Sequence, residues 1–114
     1  MLTITSHDLQ DKEQENEDLF NENLFPEKCR PSKFNKPVIL ITARVHPGET
    51  AASYTMKGVI DFLVSNTDLR SHLLKKMFLF MIVPMINVDG VFHGNFRMDS
   101  FGKNLNRFYI DPSF

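Results

Sequence analysis

The 114-residue sequence predicts an α/β fold built on a βαβ unit over residues 38–86. Two apolar runs of strand length, residues 38–45 and 77–86, are separated by segments with helical periodicity. Neither run alternates with polar residues, which indicates strands covered on both faces. A crossover through helices makes the two strands parallel neighbours in one sheet.

Two segments precede this unit. Residues 2–6 (LTITS) alternate and predict a short strand, for which the neighbouring sequence offers no good partner. Residues 8–36 are acidic and then interrupted by prolines, which predicts a loop or insertion.

Two helices are expected between the apolar runs. Residues 50–65 carry an apolar stripe at helical spacing and follow a Pro-Gly turn. A shorter helix is predicted over residues 68–76, with Thr67 or Asp68 as its N-terminal cap.

Charge is distributed unevenly, although the net charge is only −1. Residues 8–27 hold eight of the 14 acidic residues and one base, whereas from Lys28 onward 12 basic residues face six acidic ones. This basic excess suits an acidic ligand or substrate, and ordinary solvated surface charge is the alternative.

The sequence gives no sign of a membrane span or a signal peptide. It lacks an apolar run of about 18 residues, and no basic region precedes an apolar one at its start. The single cysteine, Cys29, cannot form an internal disulfide, which favours a reducing compartment such as the cytosol. Cys29 lies in a polar segment without a nearby partner base, which disfavours a role as nucleophile.

Candidate metal ligands follow the first apolar run. His46 and Glu49 lie three residues apart in VHPGET (residues 45–50), where a strand meets a tight turn. Imidazole nitrogen and carboxylate oxygen both bind zinc, and Pro47 and Gly48 stiffen the turn so that the two side chains converge. The alternative is a histidine at a strand end and a glutamate that favours the dipole of the following helix.

A second candidate segment, NVDG (residues 87–90), follows the second apolar run. Parallel strands place it at the same sheet edge as His46. Asp89 could orient a metal-bound histidine. For Gly90, an Asx turn that uses positive φ is the preferred interpretation.

A third candidate segment comprises GNFR (residues 94–97) and KNLNR (residues 103–107). Guanidinium groups bind carboxylates bidentately, and an asparagine adds a neutral donor. An arginine near a carbonyl can also stabilise a developing oxyanion. The alternative is a solvated basic loop in which Asn104 and Asn106 are turn residues.

The order of these motifs over residues 38–109 resembles the zinc carboxypeptidases of the M14 class, in particular the cytosolic carboxypeptidase branch. RVHPGET (44–50) resembles the signature turn of that branch, PMINVDGV (84–91) its next strand and loop, and GNFRMDSFGKNLNR (94–107) its substrate-binding loop. The implied fold is a portion of a carboxypeptidase-like α/β/α sandwich with a mixed, largely parallel sheet. The implied division of the chain is the end of a preceding N-terminal β region (1–7), an acidic loop or insertion (8–36) and a truncated N-terminal part of the catalytic domain (37–114).

The resemblance also implies residue roles. His46 and Glu49 are expected to bind Zn²⁺, Arg97 to polarise the scissile carbonyl and hold the oxyanion, and Asn106 and Arg107 to clamp the terminal carboxylate of the substrate. The implied substrates are glutamates on acidic protein tails such as those of polyglutamylated tubulin, in the cytoplasm and in association with microtubules. No nucleic-acid or membrane partner is expected.

Two parts of such a site lie outside the matched motifs. In the family, the third zinc ligand, a histidine, and the catalytic glutamate follow well after the Asn-Arg pair, whereas this sequence ends at Phe114. His93 is the one candidate substitute near the site. We therefore expect the chain alone to be inactive, to bind zinc weakly and to expose apolar faces of its sheet. A non-catalytic module that holds acidic tails is the second hypothesis, and a structural fragment with an accidental His-x-x-Glu pattern is the third.

Overall fold

The computed structural model describes residues 1–6 and 36–110. The loop or insertion predicted for residues 8–36, with Cys29 in it, therefore lies outside the described residues except at Lys36. Within the described part of the chain, no helix is both long and apolar enough to cross a membrane.

The described residues form a three-stranded sheet with helices, which confirms the predicted α/β class. The elements in chain order are strand β1 (Leu2–Ile4), strand β2 (Val38–Thr42), helix α1 (Ala51–Val64), helix α2 (Leu69–Met77), strand β3 (Leu79–Val83), helix α3 (Val88–Phe92) and a 3-10 helix (Leu105–Arg107). The sheet order is β1-β3-β2. Strands β2 and β3 are parallel, so the predicted βαβ unit is confirmed.

Strand β1 has a partner far away in sequence. It pairs antiparallel with β3, so that Leu2 lies opposite Ile82 and Ile4 lies opposite Phe80. Strand β3 thereby becomes the central strand, and Ile82 is fully buried. It ends at Val83, immediately before a proline that cannot donate a ladder hydrogen bond.

The hydrophobic core lies between α1 and one face of the sheet. Met56 and Leu63 of α1 pack against Phe80 and Ile82 of β3. The buried Ser71 donates a hydrogen bond to the carbonyl of Leu63 over 2.8 Å and so fixes α2 to the end of α1. Together these contacts hold the crossover against the sheet and set the direction in which β2 and β3 end.

The opposite face of β2 is open, contrary to the expectation that both faces are covered. Val38 is 56 % exposed and Leu40 is 62 % exposed, whereas Ile39 and Ile41 are partly buried against the core. Helix α1 covers one face of the strand, and no other described element shields Val38 and Leu40. An apolar strand face exposed to solvent agrees with the expectation for this chain taken alone.

Candidate metal-binding and carboxylate-binding site

The turn that carries the candidate metal ligands starts at Arg44, just after β2. Arg44 has a φ of 58°, in the left-handed region that non-glycine residues rarely adopt. Its side chain holds this conformation: Nε donates to the carbonyl of Pro47 over 2.8 Å, and Nη1 donates to Oγ of Ser53 over 2.6 Å. The strained residue thus ties the turn to the first part of α1.

The structure brings His46 and Glu49 together. His46 is 6 % exposed, and its Nδ1 lies 3.0 Å from Oε1 of Glu49. The other ring nitrogen, Nε2, lies 3.0 Å from Oδ1 of Asn104. The side chain of Glu49 is 57 % exposed, so the pair opens to solvent on the glutamate side. The carboxylate faces the histidine, and no acidic residue lies in the first turn of α1.

The geometry of this pair fits two positions of a zinc site. Two ligands on one tetrahedral zinc ion, with bonds of about 2.0–2.2 Å, place their donor atoms roughly 3.3–3.5 Å apart. The 3.0 Å between Nδ1 of His46 and Oε1 of Glu49 is close to this separation, so a small rotation of the exposed carboxylate would admit the ion. Among residues 1–6 and 36–110, however, no group of three or more His, Cys, Asp or Glu side chains is suited to hold a metal.

His93, the candidate substitute for the third ligand, lies apart from this pair in the described structure. It is exposed, and its ring packs edge-on against Phe92 with 5.3 Å between ring centroids. It follows α3, whose last turn it caps through its backbone N–H. Of the predicted ligands, the structure therefore brings together His46 and Glu49 in the described residues.

Asn87, the N-cap residue of α3, joins three parts of the candidate site. It is 4 % exposed, and its Oδ1 accepts a hydrogen bond from the backbone N–H of Gly90 over 2.9 Å. Its Nδ2 donates to the carbonyls of Val45 (3.3 Å) and Met98 (3.4 Å). A single buried amide therefore links the turn of residues 44–49 (the histidine turn), α3 and the loop that follows α3.

The positive φ expected for Gly90 is wrong. Gly94 and Gly102 are the glycines with positive φ in the described residues, and Gly90 lies within α3. Gly90 is required for a different reason, since a Cβ there would lie 2.5 Å from Oδ1 of Asn87 and 2.6 Å from Cγ of Pro47. Asp89 is exposed, and the ring nitrogens of His46 face other residues, so Asp89 does not orient that ring.

The loop from residue 94 to 104 is held against the histidine turn by its backbone. The N–H of Gly48 donates to the carbonyl of Phe96 over 2.8 Å, and a Cβ on Gly48 would lie 2.7 Å from that oxygen. Within the loop, Asn95 donates to two carbonyls, and the Asp99 carboxylate accepts from two backbone N–H groups. Close packing at Gly48 therefore fixes the loop relative to His46 and Glu49.

The three residues predicted to contact substrate remain available for a ligand. Arg97 is half-buried and lines a shallow cavity in the loop, and it makes no hydrogen bond or ion pair with other described residues. Asn106 and Arg107 are exposed on the 3-10 helix, where Nη1 of Arg107 donates to the carbonyl of Asn106 over 3.3 Å. The backbone positions these side chains, and apart from this one bond of Arg107 their polar ends make no hydrogen bond within the described residues.

Asn104 and Arg44 are site residues whose positions the sequence did not reveal. Asn104 lies 58 residues after His46 in the chain, and its type alone suits an ordinary turn. For Arg44, the signal was its place between an apolar strand and a Pro-Gly turn, which does not by itself indicate a left-handed backbone.

Comparison with known proteins agrees with this geometry. The sequence profile of the zinc carboxypeptidase family, peptidase M14, matches residues 1–110, and the chain belongs to this family. Its curated relatives include human cytosolic carboxypeptidase-like protein 5, which is 44 % identical over 115 aligned positions that cover 98 % of this chain and 13 % of the relative. Cytosolic carboxypeptidase 6 of Caenorhabditis elegans is 51 % identical over 79 positions that cover 69 % of this chain and 17 % of the relative. These matches confirm the resemblance to the cytosolic branch.

Solved structures show the same fold. A putative carboxypeptidase A from Shewanella denitrificans OS-217 superposes with a TM-score of 0.67 and 42 % identity, over 69 % of this chain and 21 % of the other. A metallo-carboxypeptidase from Pseudomonas aeruginosa was solved in complex with (2-guanidinoethylmercapto)succinic acid. It superposes with a TM-score of 0.65 and 35 % identity, over 69 % of this chain and 21 % of the other. The chain thus spans about a fifth of these structures and less than a fifth of the curated relatives above.

Proposed function

We propose that the protein is a zinc-dependent metallocarboxypeptidase, and that this chain contributes two metal ligands and the substrate-carboxylate clamp of its active site. The observation that carries the proposal is the buried His46, whose Nδ1 lies 3.0 Å from the exposed carboxylate of Glu49. Membership of the zinc carboxypeptidase family supports the same assignment.

In this proposal His46 and Glu49 hold the zinc ion. Bound zinc would polarise the scissile carbonyl and lower the pKa of a bound water. Catalytic zinc sites use three protein ligands, of which the described residues supply these two. We therefore expect the 114-residue chain to be inactive alone and to bind zinc weakly.

The clamp consists of Arg97, Asn106 and Arg107. Their exposed or half-buried polar ends lie on the loop and the 3-10 helix that follow α3. Arg107 is suited to a bidentate bond with the terminal carboxylate of a peptide, and Asn106 adds a neutral donor. Arg97 would hold the carbonyl oxygen of the scissile bond as negative charge develops on it.

The proposed substrates are glutamates at the ends or on the side chains of acidic protein tails, such as those of polyglutamylated tubulin. The 12 basic against six acidic residues from Lys28 onward favour such a polyanionic partner. The relatives are named cytosolic carboxypeptidases, which supports a cytoplasmic location. Association with microtubules would follow from a tubulin substrate, and no nucleic-acid or membrane partner is proposed.

A second candidate function is a non-catalytic module that holds acidic tails. It is favoured by one contrast in the described residues: the clamp side chains are available, whereas only two metal ligands come together. The two functions share the clamp and differ in whether a bond is cut.

Peptide binding and glutamate release separate the two functions. The 114-residue chain is titrated with a peptide that ends in several glutamates, and the same peptide with a C-terminal amide is the control. Glutamate release from polyglutamylated peptide is then measured with the native protein, purified from its source cells by an antibody against this chain. Chelator-sensitive release supports the enzyme, and binding of the free-acid peptide without release supports the module. Equal binding of the acid and amide peptides, with no release, would contradict both.

A further inference from the structure

We infer that Asn104 couples the metal-ligand pair to the carboxylate clamp through a single oxygen atom. Oδ1 of Asn104 lies 3.0 Å from Nε2 of His46 and 3.2 Å from the backbone nitrogen of Asn106. One side of this atom therefore meets a metal ligand, and the other meets the helix that carries the clamp. The inference rests on the proposed function, because the coupling has a consequence only if His46 binds a metal.

The contacts determine which atoms donate. The backbone N–H of Asn106 can only donate, so the Asn104 atom that faces it is an acceptor. The same oxygen faces Nε2 of His46, which must then carry a proton and donate as well. This leaves Nδ1 directed at the Glu49 carboxylate, where its lone pair would be available to a metal ion after a small rotation of that carboxylate.

The shared oxygen also caps the clamp. Asn104 is the N-cap of the 3-10 helix Leu105–Arg107, and its side-chain oxygen accepts the N–H of Asn106. Asn106 and Arg107 are exposed and are bonded to little else in the described residues, so this cap and the backbone define their direction. Any rotation of the Asn104 side chain therefore moves its bonds to His46 and to the clamp helix together.

Metal binding at Nδ1 should tighten this arrangement. A cation on one ring nitrogen makes the N–H on the other a stronger donor, so the His46–Asn104 bond shortens and holds the Asn104 side chain in its capping position. By linkage, a clamp that is already ordered favours the metal to the same extent. Asn104 is thus a positioning residue for both halves of the site.

The test uses nuclear magnetic resonance on the 114-residue chain with zinc chloride alone. In the unsubstituted chain, the proton of the His46 ring should reside on Nε2, and zinc should shift the His46 ring nitrogens and the Asn106 amide at the same concentration. In Asn104→Ala the ring should respond only at about 10–100-fold higher zinc, as is typical when a partner of a metal-binding histidine is lost, and the Asn106 amide should not follow.

Two further variants control for loss of structure. Asn104→Asp keeps an oxygen acceptor and should restore the joint response. Asn95→Ala removes bonds to two carbonyls of the same loop without touching His46 or Asn106, and should leave the joint response intact.

Four outcomes would count against the proposals, three of them against the coupling and one against the metal site. A proton on Nδ1 alone in the metal-free chain would overturn the coupling, and so would an Asn106 amide that follows zinc equally in Asn104→Ala. If zinc shifts the His46 resonances of the unsubstituted chain but not its Asn106 amide resonance, that result would contradict only the coupling. No zinc response at His46 at all would instead contradict the proposed metal site.

Discussion

The histidine turn and the clamp segment are built in opposite ways. In the turn, His46 is buried and both of its ring nitrogens have partners, while Arg44 is held in a left-handed conformation by its own side chain. In the segment that carries the clamp, Asn106 and Arg107 are exposed, and the backbone and the Asn104 cap set their positions. In the proposed site, the fold therefore sets the metal half in advance and leaves the substrate half available to a ligand. Substitutions in the first half should change stability, and those in the second half should change binding.

The largest effect on stability is expected from Gly90→Ala. The new Cβ would lie 2.5 Å from Oδ1 of Asn87 and 2.6 Å from Pro47, so the residues behind the histidine turn must shift. We expect a loss of about 1–3 kcal/mol in the free energy of unfolding, measured by urea denaturation. Gly58→Ala is the matched control, because nothing lies within 4 Å of its Cβ and it lies within α1, where alanine should add about 0.5–1 kcal/mol. Equal effects at the two glycines would refute the close packing behind the turn.

Arg44 offers a finer test of the turn. Arg44→Ala removes the hydrogen bonds to Pro47 and Ser53 and keeps a side chain at a φ of 58°, and it should cost about 1–2 kcal/mol in thermal or urea unfolding. Arg44→Gly removes the same bonds but accepts the left-handed backbone without strain, so it should be less destabilising than alanine. A glycine variant that is the less stable of the two would show that the left-handed conformation is not under strain.

In the clamp, the effect should move from stability to binding. Arg107→Ala should leave the free energy of unfolding within about 0.5 kcal/mol, because the side chain is exposed. Binding of a peptide that ends in free glutamate should weaken by about 10–100-fold, the range expected for lost hydrogen bonds to a charged group. Lys76→Ala, an exposed cation at the end of α2, is the control and should leave binding unchanged. If both variants weaken binding equally, the peptide is held by general surface charge.

The smallest effect concerns a cap distant from both halves. Hydrogen bonds from Arg70 lower the pKa of Asp68, the N-cap of α2, from 3.8 to about 2. Because the folded-state pKa is lowered, this contribution to stability is present above about pH 4 and is lost as the pH falls towards 2. Thermal unfolding between pH 2 and 6 should therefore show a small acid-dependent term that Asp68→Asn removes. The same acid dependence in Asp68→Asn would assign it to another carboxylate.

Local patterns in the sequence were sufficient for the βαβ unit. The apolar runs and the helical stripe predicted β2, α1, α2 and β3 close to their observed bounds, and Asp68 is the cap of α2. The prediction that both faces of β2 are covered was wrong, because a continuous apolar run does not show which neighbouring elements are present to cover the strand. Strand β1 pairs with β3, more than 70 residues away in the sequence, and no local pattern in the sequence indicates this pairing.

The site was only partly predictable for the same physical reason. His46 and Glu49 share one turn, so their spacing predicted that they converge. The contact of His46 with Asn104 closes across 58 residues and depends on the register of the whole loop. The glycine at position 90 was correctly singled out but for the wrong cause, since contact with Asn87, and not backbone conformation, excludes a side chain there.

The most direct test of the metal half is X-ray absorption spectroscopy of the zinc-loaded 114-residue chain, combined with a zinc titration of its variants. The proposed site predicts weak binding with one imidazole among the ligands, lost in His46→Ala and retained in His93→Ala. Zinc binding that survives His46→Ala, or tight one-to-one binding that is lost in His93→Ala, would contradict a two-ligand site at His46 and Glu49.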